Sequence, residues 1–151
     1  MVSTLAKLDT QNTVTIEVVD YVTYKRAIHS VRYAVFVCEQ SIPAAFEIDR
    51  YDLVSQHVLA LWEGCAVGTG RLTPEGRIGR VAVAKHLRHR GIGRCLMEKL
   101  LEVAKQQQHQ EVILAAQHQA IPFYERLGFY QEGHIFKEVG IKHVMMRRSL
   151  I

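Results

Sequence analysis

Apolar positions along the chain follow two different periods, and the changes between them mark out the elements. Val14 to Val19 alternates and is rich in β-branched residues, which predicts a strand. Tyr24, Ala27, Ile28, Val31, Val35 and Cys38 then recur at intervals of three and four, which predicts a helix. Ser41 to Ser55 has no period and holds Pro43, so it reads as a loop with room for a short helical turn. Val58–Trp62 and Cys65–Leu72 read as strands joined at Glu63-Gly64, and Arg77–Ala84 as a third strand after the turn Pro74-Glu75-Gly76. Leu96, Leu100, Val103 and Ala104 mark one face of a helix running to about Gln108. Glu111–Ala116 is an apolar run of strand length, and Ala120–Leu127 a short helix stopped by Gly128. Phe129–Phe136 and Lys142–Ser149 form a closing antiparallel pair. The order β, α, three-strand meander, α, β, α, β, β predicts an α/β (α+β) fold with a mixed, mostly antiparallel sheet of about six to seven strands.

No repeat or linker interrupts the 151 residues, so one domain is expected over 1–151. Hydrophobic residues make up 48% of the chain, enough for a core, yet no apolar run approaches the ~20 residues that span a bilayer. Residues 1–20 lack the apolar stretch of an export leader. Cys38, Cys65 and Cys95 are odd in number and widely spaced, which predicts no disulfide framework and small buried thiols in a cytoplasmic protein. His86-x-x-His89 lacks a third ligand at suitable spacing, so no metal is expected.

Charge changes the picture at one place. The net charge of +4 is concentrated in Arg77, Arg80, Lys85, Arg88, Arg90 and Arg94, with no acid from Arg77 to Arg94. Within this run lies Arg88-His89-Arg90-Gly91-Ile92-Gly93-Arg94, between a predicted strand and an amphipathic helix. Glycines let backbone approach a ligand, and N–H groups at a helix start attract anions. A Rossmann loop would need glycine where Leu96 stands, and the lysine-bearing phosphate loop of nucleotidases is absent. No zinc-finger, homeodomain or RRM pattern accompanies the basic run, so a nucleotide cofactor fits it better than nucleic acid.

Arg88-x-x-Gly91-x-Gly93 after Arg80-Val81-Ala82-Val83 resembles the pyrophosphate signature of the GNAT N-acetyltransferases. Twenty-four positions after Gly93, Gln117-x-x-Ala120-x-x-Phe123-Tyr124-Glu125-Arg126-x-Gly128-Phe129 is similar to that family's second segment, with Gln117 in the place of the commoner Asn. Arg32-x-x-Val35-Phe36-Val37-Cys38-Glu39-Gln40 and Glu138-x-Gly140-Ile141-x-His143-x-Met145 resemble its ElaA-like bacterial branch. The resemblance implies acetyl-CoA as co-substrate and strands splayed apart near 78–84 and 111–116, with the pantetheine arm between them. It implies that Arg88, His89, Arg90, Gly91, Ile92, Gly93 and Arg94 hold the pyrophosphate. A bulge then presents the backbone of Val81, Ala82 and Val83 to the thioester, and Gln117 bonds the cofactor amides. Tyr124 becomes the general acid that protonates the leaving thiolate. The acceptor becomes a primary amine of a small molecule or peptide, and a homodimer is an expectation of the same origin. A CoA-binding sensor that has lost catalysis is the alternative, and retention of Tyr124 and both glycines weighs against it.

A neutral amine nucleophile needs a base. Glu39, at the end of the first helix, is the first candidate; His143 and Glu138 follow. Asp49, Asp52 and His57 read as capping or loop-ordering groups, and Arg32 as a helix-surface arginine. Cys95 lies inside the predicted helix and reads as a buried thiol rather than a nucleophile. His29, His109, His118 and His134 read as polar surface residues.

Overall fold

The computed structural model describes residues 4–7 and 13–151, the first four by their backbone alone; the reading of residues 1–20 as leaderless falls partly outside them. β1 (Thr4–Lys7), a strand too short to show a period, pairs antiparallel with β2 (Thr13–Val19). Val14 and Ile16 on one face of β2 are fully buried, as the alternation requires. The helix α1 (Tyr21–Arg32) starts at Asp20, whose carboxylate accepts the Thr23 N–H at 2.9 Å and the Thr23 hydroxyl at 2.7 Å. It continues over Tyr33–Glu39 as a π-helix, so the predicted helix to Cys38 is real but wider in its last turns. Such windings collect at functional sites. One 3₁₀ turn, Ala44–Phe46, interrupts the following loop.

β3 (Gln56–Trp62), β4 (Cys65–Leu72) and β5 (Ile78–Val83) complete an antiparallel sheet in the order β1-β2-β3-β4-β5. The helix α2 (Ile92–Gln106) leads to β6 (Glu111–Gln117), then the short α3 (Ile121–Arg126), β7 (Tyr130–Glu138) and β8 (Ile141–Ser149). These last strands form a second antiparallel sheet in the order β6-β8-β7. A parallel bridge between Arg77 and Ile113 joins the two sheets, with the Ile113 N–H donating to the Gly76 carbonyl at 3.1 Å. From there β5 and β6 diverge, which is the splay expected of them.

Burial of apolar side chains fixes α2 across the larger sheet. Leu96, Met97, Leu100 and Ala104 are fully buried, each large one worth about 1.5–3 kcal/mol. The approach is close because β4 carries glycine beneath the helix. A Cβ on Gly68 would lie 2.9 Å from Leu96 Cδ1, and one on Gly70 the same distance from Leu100 Cδ1. Larger residues there would lift α2 and the loop at its start. The cysteines depart from expectation: Cys38 and Cys65 are exposed, because each sits at an element edge facing water, and only Cys95 is half-buried.

Candidate acyl-donor and acceptor site

The loop between β5 and α2 is anchored by Leu87, buried at the end of a 3₁₀ turn over Lys85–Leu87. His89 and Gly91 then both take positive φ, at 63° and 87°. The backbone thus folds into a concave run of N–H groups. Gly91 opens α2 with no side-chain cap, leaving the first-turn N–H groups for an external acceptor. A Cβ on Gly91 would meet nothing within 4 Å, so a side chain there would stand in open space rather than crowd the loop. Ile92 is buried and contributes only its backbone, while His89, Arg90 and Arg94 are exposed at the rim. Arg94 pairs with Glu98 one turn along the helix at 2.9 Å.

Arg88 and Glu39, assigned to opposite ends of the chemistry by sequence, are partners. The Arg88 guanidinium donates to both Glu39 carboxylate oxygens at 2.5 and 2.6 Å and through Nε to the Val83 carbonyl at 3.0 Å. These hydrogen bonds hold the Glu39 carboxyl below its ordinary pKa, with Coulombic attraction from Arg88 and Lys85 adding to an effect that partial burial opposes. A carboxylate stabilised in this way is a poor proton acceptor.

Between the diverging strands opens a cleft of about 1070 Å³. On one wall β5 is bulged: Thr69 faces Ala82 and Arg71 faces Gly79, so Arg80 and Val81 together oppose Gly70. Arg80 takes φ 51° to do this. Val81 sits in the bulge and lines the cleft, whereas Ala82 and Val83 are back in register with Thr69 and Gly68. On the other wall stands Tyr124, held edge-on by Phe123 and Phe129 at centroid distances of 5.0 and 5.9 Å. Burial pushes its phenol up to about 12.

Gln117 and His143 are register partners at the end of the β6–β8 pair, and both line the cleft. The Gln117 amide donates to Gln40 Oε1 at 2.8 Å and accepts from Gln119 at 2.7 Å, so β6 is tied to the residue that caps the π-helix. His143 is buried and stacks on Phe136 at 5.8 Å. Its Nδ1 lies 2.7 Å from the Ile141 carbonyl, which can only accept, so Nδ1 carries a proton, and in the neutral ring the lone pair is on Nε2. Nε2 makes no hydrogen bond among the described residues. Glu138 is exposed on the same rim.

The loop over residues 41–55 is fixed by a buried ion-pair network that also corrects two sequence expectations. Arg32 is fully buried rather than at the surface, because Glu47 and Asp52 from the loop close over its guanidinium. His29 is half-buried, with Nδ1 on the Glu47 carboxylate at 2.9 Å and Nε2 2.6 Å from the Tyr21 hydroxyl. Asp52 also takes Arg71 at 2.8 Å and the two guanidiniums outweigh burial to hold its carboxyl at about 2. Asp49 accepts from Arg71 at 2.7 Å and from Arg80 at 3.0 Å. His57 donates to the Asp52 carbonyl at 2.8 Å, and burial lowers its pKa. Asp49, Asp52 and His57 thus order the loop, as expected of them. Arg80, through the Phe46 and Glu47 carbonyls, ties that loop to the bulge. Neither this tie nor the Gln40–Gln117 bridge has a signal in the sequence, since the partners lie 33 or more positions apart. Among the described residues no group of three or more His, Cys, Asp or Glu gathers as a metal site, and no helix is long and apolar enough to cross a membrane.

Comparison with known proteins places this geometry. Residues 12–150 match the family model described as an acetyltransferase (GNAT) domain. Protein ElaA of Escherichia coli is 34% identical over 83% of this chain and 87% of its own length. Its crystal structure aligns with a TM-score of 0.82 over 90% of this chain and 99% of that one. An acyl-CoA N-acyltransferase from Pseudomonas aeruginosa aligns with a TM-score of 0.81 at 31% identity, covering 90% and 99% of the two chains. A GNAT family acetyltransferase from Elizabethkingia anophelis, crystallised with acetyl-CoA bound, shares the fold at a TM-score of 0.64 and 16% identity, over 91% and 98% of the chains. The loop with its two positive-φ residues, the bulged strand, the splayed cleft and the family match together make this chain a member of the GNAT acetyltransferases, in their ElaA-like branch.

Proposed function

We propose that this chain, a single domain over 1–151, moves an acetyl group from acetyl-CoA to a primary amine of a small molecule or peptide by direct attack in a ternary complex. The observation that carries this reading is the cleft itself. One wall is the bulged β5, the other holds Tyr124 and His143, and β5 runs on into the uncapped start of α2.

The N–H groups from Gly91 onward receive the pyrophosphate, with His89, Arg90 and Arg94 around it and Arg88 exchanging Glu39 for a phosphate oxygen. Gln117 faces the pantetheine amides. The backbone of Val81, in the bulge, takes the charge that develops on the thioester oxygen, while Ala82 and Val83, back in register with β4, hold that strand in place. His143 Nε2 takes the amine proton as nitrogen attacks the carbonyl carbon; the carbon–sulfur bond breaks, and Tyr124 gives its proton to sulfur. Of the three candidate bases, geometry favours His143, because Glu39 is already doubly hydrogen-bonded to Arg88 and Glu138 stands exposed on the rim. A phenol at about 12 stays protonated at every working pH, so the donor is always loaded. Against a thiol near 8.5 in water, complete transfer would be uphill by roughly 5 kcal/mol. Desolvation of the leaving sulfur beside the buried Tyr124 would raise its basicity and narrow that gap, as burial raises the Cys95 thiol.

The test is amine-dependent release of thiol from acetyl-CoA by the purified protein, followed with a thiol reagent across a panel of amines. Release that tracks amine acetylation is expected. A folded protein that neither binds nor turns over acetyl-CoA would sink the proposal.

A further inference from the structure

The cleft mouth carries information about the acceptor beyond its being an amine. Resting on the acetyl transfer proposed above, we infer that the acceptor is a small amine with an apolar, uncharged body and no carboxylate, an arylalkyl- or alkylamine.

Two observations converge. The first is charge. Arg71 and Arg80 line the cleft, but their guanidiniums are held by Asp49 and Asp52, so neither is free for an acidic ligand. Glu47, also on the wall, is taken by Arg32 and His29. Three charged side chains of the lining have no ion pair among the described residues: Glu75, Arg77 and Glu138. Glu75 and Arg77 stand two positions apart in the sequence at the closed end, beside the Arg77–Ile113 bridge, and their formal charges sum to zero. Among the charges that line the cleft this leaves Glu138, at the tip of the β7–β8 hairpin, unbalanced, while Lys137 and Lys142 pair in register beside it outside the lining. Glu138 draws an ammonium inward and repels a carboxylate.

The second is the rim. Phe46, Ile48 and Val139 border the same cleft and are 59%, 55% and 42% exposed. Phe46 and Ile48 come from the loop that Arg80 fastens to the bulge, and Val139 from the hairpin across the opening. Phe36 and Ile42 continue the apolar lining inward. Large apolar side chains left in water around one opening mark a surface that gains by being covered. With an acidic group beside them, the complementary ligand is amphipathic: cationic at one end and apolar along its body.

Matched amines separate the two features. 2-Phenylethylamine carries both; ethanolamine lacks the apolar body; phenylalanine adds the carboxylate. We expect kcat/KM for 2-phenylethylamine to exceed that for either by about a hundredfold, and Phe46→Ala to raise its KM about tenfold. Calorimetric acetyl-CoA affinity should not change in Phe46→Ala, and Leu53→Ala, 73% exposed and outside the cleft, should change neither quantity. Equal or better use of ethanolamine, phenylalanine or a peptide N-terminus such as Gly-Gly-Phe would overturn the inference. So would failure of 2-phenylethylamine and n-octylamine as acceptors in protein that binds acetyl-CoA, while the acetyltransferase reading would survive. Absence of acetyl-CoA binding would remove that reading and the inference with it.

Discussion

Glu39→Gln removes one charge from the point where the acceptor-side helix meets the cofactor loop, and it separates two roles for that residue. In the structure Arg88 is held by two charge-assisted hydrogen bonds of 2.5 and 2.6 Å, and the side chains of the pair are about 30% exposed, at 30% and 27%. Solvent screening limits such a pair to about 0.5–1 kcal/mol, even with favourable bidentate geometry. Phosphate must displace Glu39 to recruit Arg88, so that energy opposes acetyl-CoA binding. Glutamine keeps the shape and gives up the charge. Acetyl-CoA affinity measured by calorimetry should therefore tighten about two- to fivefold, while kcat for the best amine stays within about twofold. A general base contributes about a hundredfold or more to turnover. A fall in kcat of that size at unchanged acetyl-CoA affinity would restore Glu39 as the base and refute its role as the partner of Arg88.

Tyr124→Phe should lower kcat by about ten- to a hundredfold with acetyl-CoA affinity intact, checked by steady-state kinetics beside calorimetry; unchanged turnover would remove the acid assignment. Because burial holds the phenol up to about 12, Tyr124 should produce no falling limb in the rate profile below about pH 11. The Asp52 carboxyl, desolvated but overcompensated by Arg32 and Arg71, sits at about 2 in the folded chain. Its folded value lies below the unfolded one, so its contribution is complete above about pH 4. It is lost as pH falls to about 2, a change on the order of 2 kcal/mol, visible as the part of the acid drop in the urea midpoint that Asp52→Asn lacks.

Much of the frame can be read from local pattern. Leu96, Leu100, Val103 and Ala104 declare the buried face of α2 because a helix repeats its neighbours every three to four residues. The loop chemistry at Gly91 and Gly93 is legible for a similar reason, since positive φ and close approach leave few residue choices. Contacts between distant segments leave no such trace. Arg32 carries the charge of a surface residue, and its burial depends on Glu47 and Asp52 arriving from an aperiodic loop. The same holds for Arg88 and Glu39, which stand 49 positions apart, and for the tie from Arg80 to the loop. Residue type announced that each of these side chains was charged; only the fold shows which charges neutralise one another and which remain for a ligand.

The cofactor loop bears the whole mechanism, and Gly91→Asp tests it. The new side chain meets no atom within 4 Å, so the protein should stay folded, with strain limited to about 1–2 kcal/mol for a φ of 87°. Its carboxylate would stand beside the phosphates. Calorimetric titration with acetyl-CoA should show one site in the wild-type protein and at least a tenfold loss in the variant, with both proteins giving the same far-ultraviolet circular dichroism. Equal binding by the two proteins would put the cofactor elsewhere, and no binding by either would leave the cleft without its acyl donor.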